Sequence, residues 1–403
     1  MKSAIILDGQ LKSALCAVRS LGRGGVVVSV GAERATAMTR FSKYAKDKFV
    51  YPSPYRDPEG FLVRLKEEAR QLGDKPVVYA FSDATALLLS RHRDELSECM
   101  TLILAEEEAT ETVFDKSRTY ELAKRLGVPI IPTYVPKGED DVKRLAKRLS
   151  YPAVIKTRHS VTWREGKGFF GTASFVHTAD ELRAKFVTLL AETGEAPLVQ
   201  EFIKGDEYGV ECLCRSGRVY ATVVHQRRRS LSPTGGASVL KATVGENDLT
   251  KKMRVSAERL LTELSWTGVA MVEFKVDATD GEPKLMEING RFWGSLPLAV
   301  FAGVDFPHLY YKLAEGEVPT EVVIGRPNVV SEHLLGSVRW LGRVMFASDP
   351  LRPILYPSRL KALTDFASPS FWVRDDVWSF SDGLPGVMEY VDVVYSLVVK
   401  QRS

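Results

Sequence analysis

The sequence predicts a mixed fold, in which an α/β domain comes first and an α+β region follows. Two patterns predict it. Apolar runs alternate with amphipathic stretches over residues 1–111, as in parallel βαβ units. After residue 197, runs rich in β-branched residues follow one another with short turns between them, as in antiparallel hairpins. Residues 331–403 show neither pattern clearly, so we expect a C-terminal extension of unknown role.

Composition limits the class of protein. A chain of 403 residues with 45% hydrophobic and 26% charged residues is long enough for two or three domains with cores of their own. The net charge of +4 is small beside 55 basic and 51 acidic side chains, so we expect no nucleic-acid partner. The four cysteines have no zinc-type spacing, and reduced thiols fit a cytoplasmic location. No uncharged apolar run reaches the roughly 18 residues that span a bilayer.

The N-terminal domain is predicted to cover residues 1–111 and to be Rossmann-like. A strand at Ala4–Leu7, an amphipathic helix and a strand at Val26–Val30 form its first βαβ unit. The pattern then continues with helices at 58–72 and 84–96 and strands at Val77–Phe81 and Leu102–Leu104. Only Asp8-Gly9 follows the first strand, without a glycine fingerprint, so a bound dinucleotide is not expected.

A helix from about Ser117 and a strand at 151–157 come next. Lys156 lies at the inner end of that strand, and it needs an anionic partner because burying an unpaired ammonium group is costly. Beyond it, three glycines spell GxGxxG between two strands: Gly166, Gly168 and Gly171. A dinucleotide fingerprint opens a helix, so this motif instead predicts a mobile flap whose backbone N–H groups approach a phosphate chain.

The most informative stretch is Leu-Met-Glu-Ile-Asn-Gly-Arg-Phe-Trp-Gly, residues 285–294. On a strand, side chains alternate between the two faces. Glu287, Asn289 and Arg291 are therefore expected to share one face, while Met286 points into the core beside Ile288. A carboxylate, a carboxamide and a guanidinium then lie on one surface.

A second acid is expected opposite this strand. Residues 269–277 have the pattern of a partner strand, and a turn at Asp280-Gly281 places Glu273 opposite Glu287. Two facing carboxylates repel each other unless a cation lies between them, and oxygen ligands suit Mg²⁺ that carries phosphate oxygens. A solvated hairpin with charged outer positions is the alternative interpretation.

Glu273 followed by Glu-Ile-Asn-Gly-Arg at 287–291 resembles the metal-binding signature of the ATP-grasp superfamily. That superfamily includes carboxylate–amine ligases, biotin carboxylase and the large chain of carbamoyl-phosphate synthase. The resemblance runs over about residues 114–316. It implies a two-lobed ATP-grasp domain at 112–330 with a flap lobe at about 150–197, preceded by a pre-ATP-grasp domain and followed by the extension at 331–403.

The resemblance also implies roles for individual residues. Lys116 and Lys156 would contact the nucleotide phosphates, with Gly168 of the flap above them and Lys241 as an open candidate for a further cation. Three more residues would hold the nucleoside, with Glu201 and Ile203 at the adenine and Glu207 at the ribose hydroxyls. An ionised carboxylate suits the last position because it accepts two hydroxyls at once. The metal ligands would be Glu273, Glu287 and Asn289.

A triple arginine at 227–229 precedes a Ser/Pro/Gly-rich stretch, and residues 225–241 are expected to form a loop. A guanidinium is well shaped to receive a carboxylate or an acyl phosphate. The substrate candidates are therefore Arg227, Arg229, Gly235 and Gly236. Spacing does not decide which arginine faces the substrate, and a solvated surface turn is the alternative.

Together these residues predict phosphoryl transfer by positioning and charge neutralisation, with Arg291 and Lys156 as catalytic residues. The expected activity is that of an ADP-forming ligase, which activates a carboxylate as an acyl phosphate and joins it to an amine. ATP and Mg²⁺ are the expected cofactors, with Mn²⁺ as a substitute, and small-molecule carboxylates and amines are the expected partners. A biotin-type carboxylase and a non-catalytic ATP-binding module are the alternatives.

The tail is expected to pack against the core or a second subunit, which is compatible with a homodimer. Membrane contact by the tail is less favoured.

Overall fold

The computed structural model describes residues 2–164, 167–367 and 373–400. Within these ranges it contains one parallel sheet, one antiparallel sheet, one large and mostly antiparallel sheet, and a short hairpin. Gly166 of the predicted flap motif lies outside the described residues.

The N-terminal region consists of alternating strands and helices. In chain order they are β1 (Ser3–Ile6), α1 (Lys12–Arg23), β2 (Val27–Ala32), a 3₁₀ helix (Met38–Phe41), β3 (Ala45–Val50), α2 (Pro58–Leu72), β4 (Val77–Tyr79), α3 (Asp83–Arg91) and α4 (Arg93–Ser97). The strands pair in parallel in the order β3-β2-β1-β4. Side chains of α1 pack on one face of this sheet and those of α2 on the other. The predicted parallel βαβ pattern is thus confirmed, and the closer Rossmann likeness stays a prediction.

Two details of this region differ from the sequence-based expectation. Strand β3 was not predicted, because Lys46, Asp47 and Lys48 are exposed at the sheet edge and hide the alternation. The strand expected at Leu102–Leu104 is wrong. Only Thr101 forms a bridge to β4, and the carbonyl of Ile103 accepts a hydrogen bond from the Tyr310 hydroxyl at 2.9 Å.

A smaller lobe follows. Helices α5 (Glu107–Phe114) and α6 (Lys116–Arg125) precede it and pack in the core of the large sheet described below. The elements of the smaller lobe are β5 (Thr133–Tyr134), α7 (Glu139–Ala146), β6 (Ala153–Lys156), β7 (Val161–Arg164), β8 (Lys167–Phe170), β9 (Ala173–Val176), α8 (Ala179–Thr193) and β10 (Leu198–Glu201). Strands β5-β10-β6-β9 form an antiparallel sheet, and α7 and α8 pack on it through a core that contains Leu145, Leu182 and Phe186. Strands β7 and β8 form a separate hairpin.

The rest of the chain is built on a large sheet. Its elements are β11 (Gly205–Arg215), β12 (Arg218–Ser232), β13 (Gly235–Thr243), α9 (Asp248–Glu263), β14 (Gly268–Asp277), β15 (Pro283–Asn289), α10 (Leu296–Phe301), α11 (Phe306–Ala314), β16 (Val323–Ile324), β17 (Val330–Glu332), α12 (Leu334–Phe346), α13 (Arg352–Leu355), α14 (Arg359–Ala367), β18 (Arg374–Asp375) and α15 (Leu384–Lys400). The strand order is β15-β14-β11-β12-β13-β17-β18, with β16 beside β12. Because β17 and β18 belong to it, this sheet continues into the C-terminal region.

The loop expected at residues 225–241 is wrong. Strand β12 continues to Ser232 and pairs with β13, so the triple arginine lies on a strand. Gly235 and Gly236 have φ angles of +127° and +98°, which an L side chain rarely adopts, and they begin β13 directly after the turn. The arginines obscured this strand because charged residues interrupt the apolar alternation by which strands are recognised.

The hairpin of β14 and β15 has the predicted register, with Glu273 paired to Glu287. The strand ends at Asn289, however, and not at residue 294. A bulge pairs Phe274 with Leu285 and leaves Met286 as the extra residue. Leu285 and Ile288 are therefore buried, and the expectation that Met286 points into the core is wrong.

The C-terminal region packs against the N-terminal region, as expected for the tail. Asp382 accepts hydrogen bonds from Arg19 Nε and Ser42 Oγ, both at 2.8 Å. Asp392 of α15 accepts one from Arg34 Nη2, also at 2.8 Å. In the part of the chain that the structure describes, no helix has the length and apolar character needed to cross a bilayer.

Candidate active site

The site begins with the acid pair on β14 and β15. Glu273 is buried, and its Oε1 accepts a hydrogen bond from Asn289 Nδ2 at 3.1 Å. Burial raises the pKa of Glu273; Arg227 opposes this rise, and the Glu287 carboxylate adds to it. Glu287 itself forms no hydrogen bond or ion pair with other side chains in the described ranges.

Arg227 on β12 lies across the strands from these acids. Its Nη2 donates to Glu273 Oε2 at 3.0 Å and its Nη1 to Glu207 Oε2 at 2.7 Å. Its Nε is buried without a hydrogen-bond partner. The structure thus places a cation beside the acid pair, so the pair by itself does not require a metal. Of the three arginines, Arg227 is the one beside Glu273, and Arg228 is exposed.

Glu207 on β11 is held between two cations. Besides Arg227, Lys275 Nζ lies 3.3 Å from its Oε1. Burial alone would raise the pKa of Glu207, but Arg227 and Lys275 outweigh burial and lower it. A carboxylate kept ionised in this way has lone pairs left for hydroxyl donors.

Arg291 joins the acid pair to the N-terminal region. Its Nη2 donates to Asn289 Oδ1 at 3.1 Å, and its Nε donates to Asp83 Oδ1 at 2.7 Å. Burial lowers the pKa of Arg291, but Asp83 and Glu287 outweigh burial and raise it. Sequence reasoning missed Asp83, the first residue of α3, because no local pattern connects it with a residue so distant in the chain.

Of the two predicted phosphate lysines, Lys156 ends β6 in the smaller lobe and Lys116 begins α6. Lys156 is 9% exposed, and its Nζ donates to Tyr120 Oη at 2.8 Å and to Gln200 Oε1 at 2.9 Å. Lys116 Nζ donates to Ser160 Oγ at 3.0 Å. Neither ammonium group forms an ion pair with a carboxylate of the described residues. Sequence reasoning missed Tyr120 and Gln200, because buried polar residues on a helix and a strand carry no distinctive motif.

The predicted adenine residues lie at the junction of the two lobes, between β10 and β11. Glu201 ends β10, its N–H donates to the carbonyl of Pro132 at 3.0 Å, and its Oε1 accepts a hydrogen bond from Tyr134 Oη at 2.8 Å. Ile203 follows in the connection and is half-buried. This part of the chain connects the two lobes, and the adenine roles of Glu201 and Ile203 stay predictions.

Two predicted cations lie elsewhere. Lys241 is fully buried and its Nζ donates to Asp376, which also accepts from Lys12. Burial lowers the pKa of Lys241 to about 8. Because the ammonium group of Lys241 already binds Asp376 inside the fold, we no longer assign Lys241 the predicted phosphate role.

Arg229 likewise serves the C-terminal region. Its Nη1 donates to Glu332 Oε1 at 3.1 Å, and its guanidinium carbon lies 4.2 Å from the centre of the Trp340 ring. Its predicted substrate role is therefore not retained either. Bulges in β12 lie between Arg227 and Arg229, and the two arginines contact different partners.

The glycines have structural partners. The N–H of Gly168 donates to the carbonyl of Tyr55 at 2.6 Å, and a Cβ on Gly168 would lie 2.8 Å from that oxygen. Gly168 thus permits contact between the β7–β8 hairpin and the N-terminal region. Its N–H, which was expected to approach the phosphates, is already bonded to Tyr55. The carbonyl of Gly236 accepts from Arg227 Nη1 at 3.4 Å, which places this turn beside the site, while Gly235 faces open space.

The predicted metal ligands are all oxygen donors. Glu273, Glu287 and Asn289 offer hard oxygen atoms, which suit Mg²⁺. Among the described residues, no group of three or more His, Cys, Asp or Glu side chains is arranged to hold a metal ion. Mg²⁺ is commonly bound by one or two carboxylates together with phosphate oxygens. These residues therefore fit a cation that arrives with a nucleotide better than a resident metal.

A cleft of about 1110 Å³ opens beside the site, between the large sheet and the C-terminal region. Glu207, Arg227 and Lys275 line one side of it, and Trp340 and Phe366 line the other. The acid pair does not line this cleft, and neither does Lys116 or Lys156. It therefore adjoins the site and does not coincide with it.

Comparison with known proteins identifies the fold. Residues 194–333 match the family model described as ATP-grasp in the biosynthetic pathway with Ter operon. D-aspartate ligase from Enterococcus faecium is 28% identical over 284 residues, which cover 66% of each chain. Biotin carboxylase from Nostoc sp. is 26% identical over 222 residues, which cover 52% of this chain and 47% of that protein. The aligned parts thus span about two thirds or less of these curated relatives.

Solved structures agree. The biotin carboxylase domain of Hydrogenobacter thermophilus 2-oxoglutarate carboxylase has a TM-score of 0.64 at 18% identity, covering 82% of this chain and 73% of that one. L-amino acid ligase from Bacillus licheniformis has a TM-score of 0.59 at 17% identity, covering 79% and 77%. These matches confirm the resemblance inferred from Glu273 and residues 287–291 at the level of the fold: the chain folds like these solved structures, and residues 194–333 match an ATP-grasp family model.

Proposed function

We propose that this protein is an ATP-dependent, ADP-forming ligase that activates a carboxylate as an acyl phosphate and joins it to an amine. One observation carries the proposal. The facing pair Glu273 and Glu287 lies with Arg291 beside the large sheet, while Lys156 of the smaller lobe is a buried ammonium group without an acid among the described residues. An ATP phosphate chain with its cation would complement both groups, because it supplies negative charge to Lys156 and a divalent ion to Glu287, the acid of the pair that Arg227 does not bind.

The residues would divide the binding of the nucleotide between the lobes. Lys116 and Lys156 would hold the phosphates, and Glu207 would accept the ribose hydroxyls. Glu201 and Ile203 at the connection between the lobes would contact the adenine. Mg²⁺, or Mn²⁺ in its place, would be held by Glu273, Glu287 and Asn289, and would neutralise charge on the phosphate oxygens.

The chemistry would then proceed by displacement. A substrate carboxylate oxygen attacks the γ-phosphorus, the bond from that phosphorus to the β–γ bridging oxygen breaks, and ADP leaves. The amine nitrogen attacks the acyl carbon, and phosphate leaves while the amine proton passes to phosphate or water. Arg291 would stabilise the charge on the transferred phosphoryl group, and Arg227, beside the carbonyl of Gly236, would orient the substrate carboxylate.

The names of two similar proteins, D-aspartate ligase and L-amino acid ligase, support an amino acid as one substrate. The four cysteines are free thiols, which supports a cytoplasmic location. The predicted division into residues 1–111, 112–330 and 331–403 belongs to this proposal, with the first unit as the pre-ATP-grasp domain.

The test is ADP release by the full-length chain with ATP, Mg²⁺ and pools of amino acids and other amines. Hydroxylamine added in place of the amine captures an acyl phosphate as a hydroxamate, which identifies the carboxylate. Bicarbonate with free biotin tests the carboxylase alternative. Glu287→Gln should abolish both ADP and hydroxamate formation, whereas Glu282→Gln, just before the same strand, should not. If no carboxylate stimulates ADP release, the proposal is wrong.

A further inference from the structure

Exposed apolar side chains concentrate in the C-terminal region. Most of the large ones in the described ranges lie between Leu334 and Val394. On α15 they form a stripe: Leu384 is 53% exposed, Val387 48%, Val391 43% and Val394 61%. The steps between these residues are three, four and three, which place all four on one side of the helix.

The opposite side of α15 is anchored to the rest of the chain. His333 Nε2 lies 2.6 Å from Glu389 Oε1, and Asp392 accepts hydrogen bonds from Arg34 and Thr36. Met388 packs against a small core that includes Leu15, Met38 and Val377. Because these contacts fix the helix about its axis, the stripe cannot turn inward to be buried.

Aromatic side chains extend the stripe at its N-terminal end. The Trp378 ring lies 6.4 Å from that of Tyr390 and packs over Gly386, and Phe380 is fully exposed. We call the resulting surface the α15 patch; it consists of Trp378, Phe380, Leu384, Val387, Tyr390, Val391 and Val394. With aromatic areas of roughly 150–250 Å² each, the patch exposes on the order of 600 Å². That is at the upper limit for a monomer and close to the roughly 800 Å² that each partner buries in a standard interface.

We propose that the α15 patch is a dimer interface and that a second copy of this chain covers it, with the two α15 helices packed across a two-fold axis. Alternating steps of three and four residues make the narrow seam that another helix covers. A self-complementary patch is also what a two-fold interface requires. Glu389 and Asp392 are engaged on the far side, so they do not repel each other across the seam.

The charge of α15 argues against a membrane as the occupant. Helices that lie on membranes carry many lysines and arginines on their polar side. Glu389 and Asp392 are acidic, and Lys400 at the C-terminal end is the one basic residue in the α15 sequence. An anionic surface would therefore repel this helix.

The experiment measures the mass of the full-length protein by sedimentation velocity from low to high micromolar concentration, without nucleotide. The wild type should be a dimer at the upper end. Val391→Asp should weaken self-association by about a hundredfold or more, because a two-fold interface contains the buried carboxylate twice. Val63→Asp, on an equally exposed valine of α2, should leave the dimer intact.

Val387→Asp is a second variant of the same seam and should also give monomers. Both variants should keep the circular dichroism spectrum of the wild type and, at low concentrations at which the wild type is also monomeric, its melting temperature. A wild type that stays monomeric at every concentration, or two seam variants that stay dimeric, would overturn the proposal. So would a monomer that pellets with vesicles of phosphatidylcholine and phosphatidylglycerol. Because no nucleotide is present, the result is independent of the ligase proposal.

Discussion

Lys156 and Lys241 are two buried lysines on strands, and the sequence suggested the same phosphate role for both. Their surroundings differ. Lys241 is paired with Asp376, whereas Lys156 donates, among the described residues, only to the uncharged oxygens of Tyr120 and Gln200. A buried ammonium group needs a negative partner. The fold supplies one to Lys241, which therefore belongs to the framework, and for Lys156 we propose that the nucleotide supplies it.

The largest effect is expected from Asp376→Ala. This change leaves Lys241 and Lys12 close together without their acid, and breaking a buried ion pair typically costs about 3–5 kcal/mol. Urea denaturation should show a loss of that size in the free energy of unfolding. Lys241→Met, which replaces the charge with an apolar chain of similar volume, should cost far less. A loss of less than 1 kcal/mol for Asp376→Ala, on the order of a neutral hydrogen bond, would show that Asp376 is not the anchor of this cluster.

For Lys156→Met we expect a loss of ATP binding and no loss of stability. It should weaken ATP binding by about a hundredfold, which corresponds to about 2.7 kcal/mol, while the melting temperature stays the same or rises. Isothermal titration with a non-hydrolysable ATP analogue and a thermal melt measure the two quantities. Lys241→Met is the matched control and should bind the analogue as the wild type does. Equal losses in both variants would remove the distinction between the two lysines.

The lowered pKa of Lys241 predicts how the stability of the protein changes with pH. Burial lowers this pKa to about 8, so between pH 8 and the ordinary lysine value the unfolded chain binds a proton that the folded chain does not. This group should therefore make the protein more stable as pH rises through that window, by at most about 1.4 kcal/mol per pH unit. The difference between wild type and Lys241→Met in urea midpoints across the window isolates it. A difference that falls as pH rises would contradict the assigned direction.

Arg291 combines the features of Lys241 and Lys156. It has an acid partner within the fold, Asp83 of the N-terminal region, and its proposed ligand is a phosphoryl group. Asp83→Asn keeps a hydrogen-bond acceptor but removes the charge that orients Arg291. We expect kcat to fall by about tenfold, about 1.4 kcal/mol, with KM for ATP unchanged. Asp94→Asn, on the neighbouring exposed helix, is the control. A change in KM for ATP alone would place Asp83 at the nucleotide instead.

Much of the site was predictable because it depends on local spacing. The register of Glu273 and Glu287 follows from a short hairpin with its turn at Asp280-Gly281, so the pairing depends on only about a dozen residues. The strands and helices around it follow from the period of apolar residues. The same local signals led to the ATP-grasp resemblance that the fold bears out.

Other features depend on contacts that no local pattern encodes. The bulge at Met286 reverses which side chains are buried, and the bulges in β12 separate Arg227 from Arg229. The pairing of Arg291 with Asp83 joins residues more than two hundred positions apart.

The sequence by itself therefore determined the fold class, the acid pair and the identity of the basic residues that a phosphate site needs. Only the tertiary structure decided which basic residues are free for a ligand. Whether a lysine is available to a ligand depends on the acid that the rest of the chain places beside it. Asp376, which follows β18, lies beside Lys241, and no acid of the described residues forms an ion pair with Lys156. The three-dimensional fold determines which acid lies beside a lysine, whereas the spacing of residues along one strand does not.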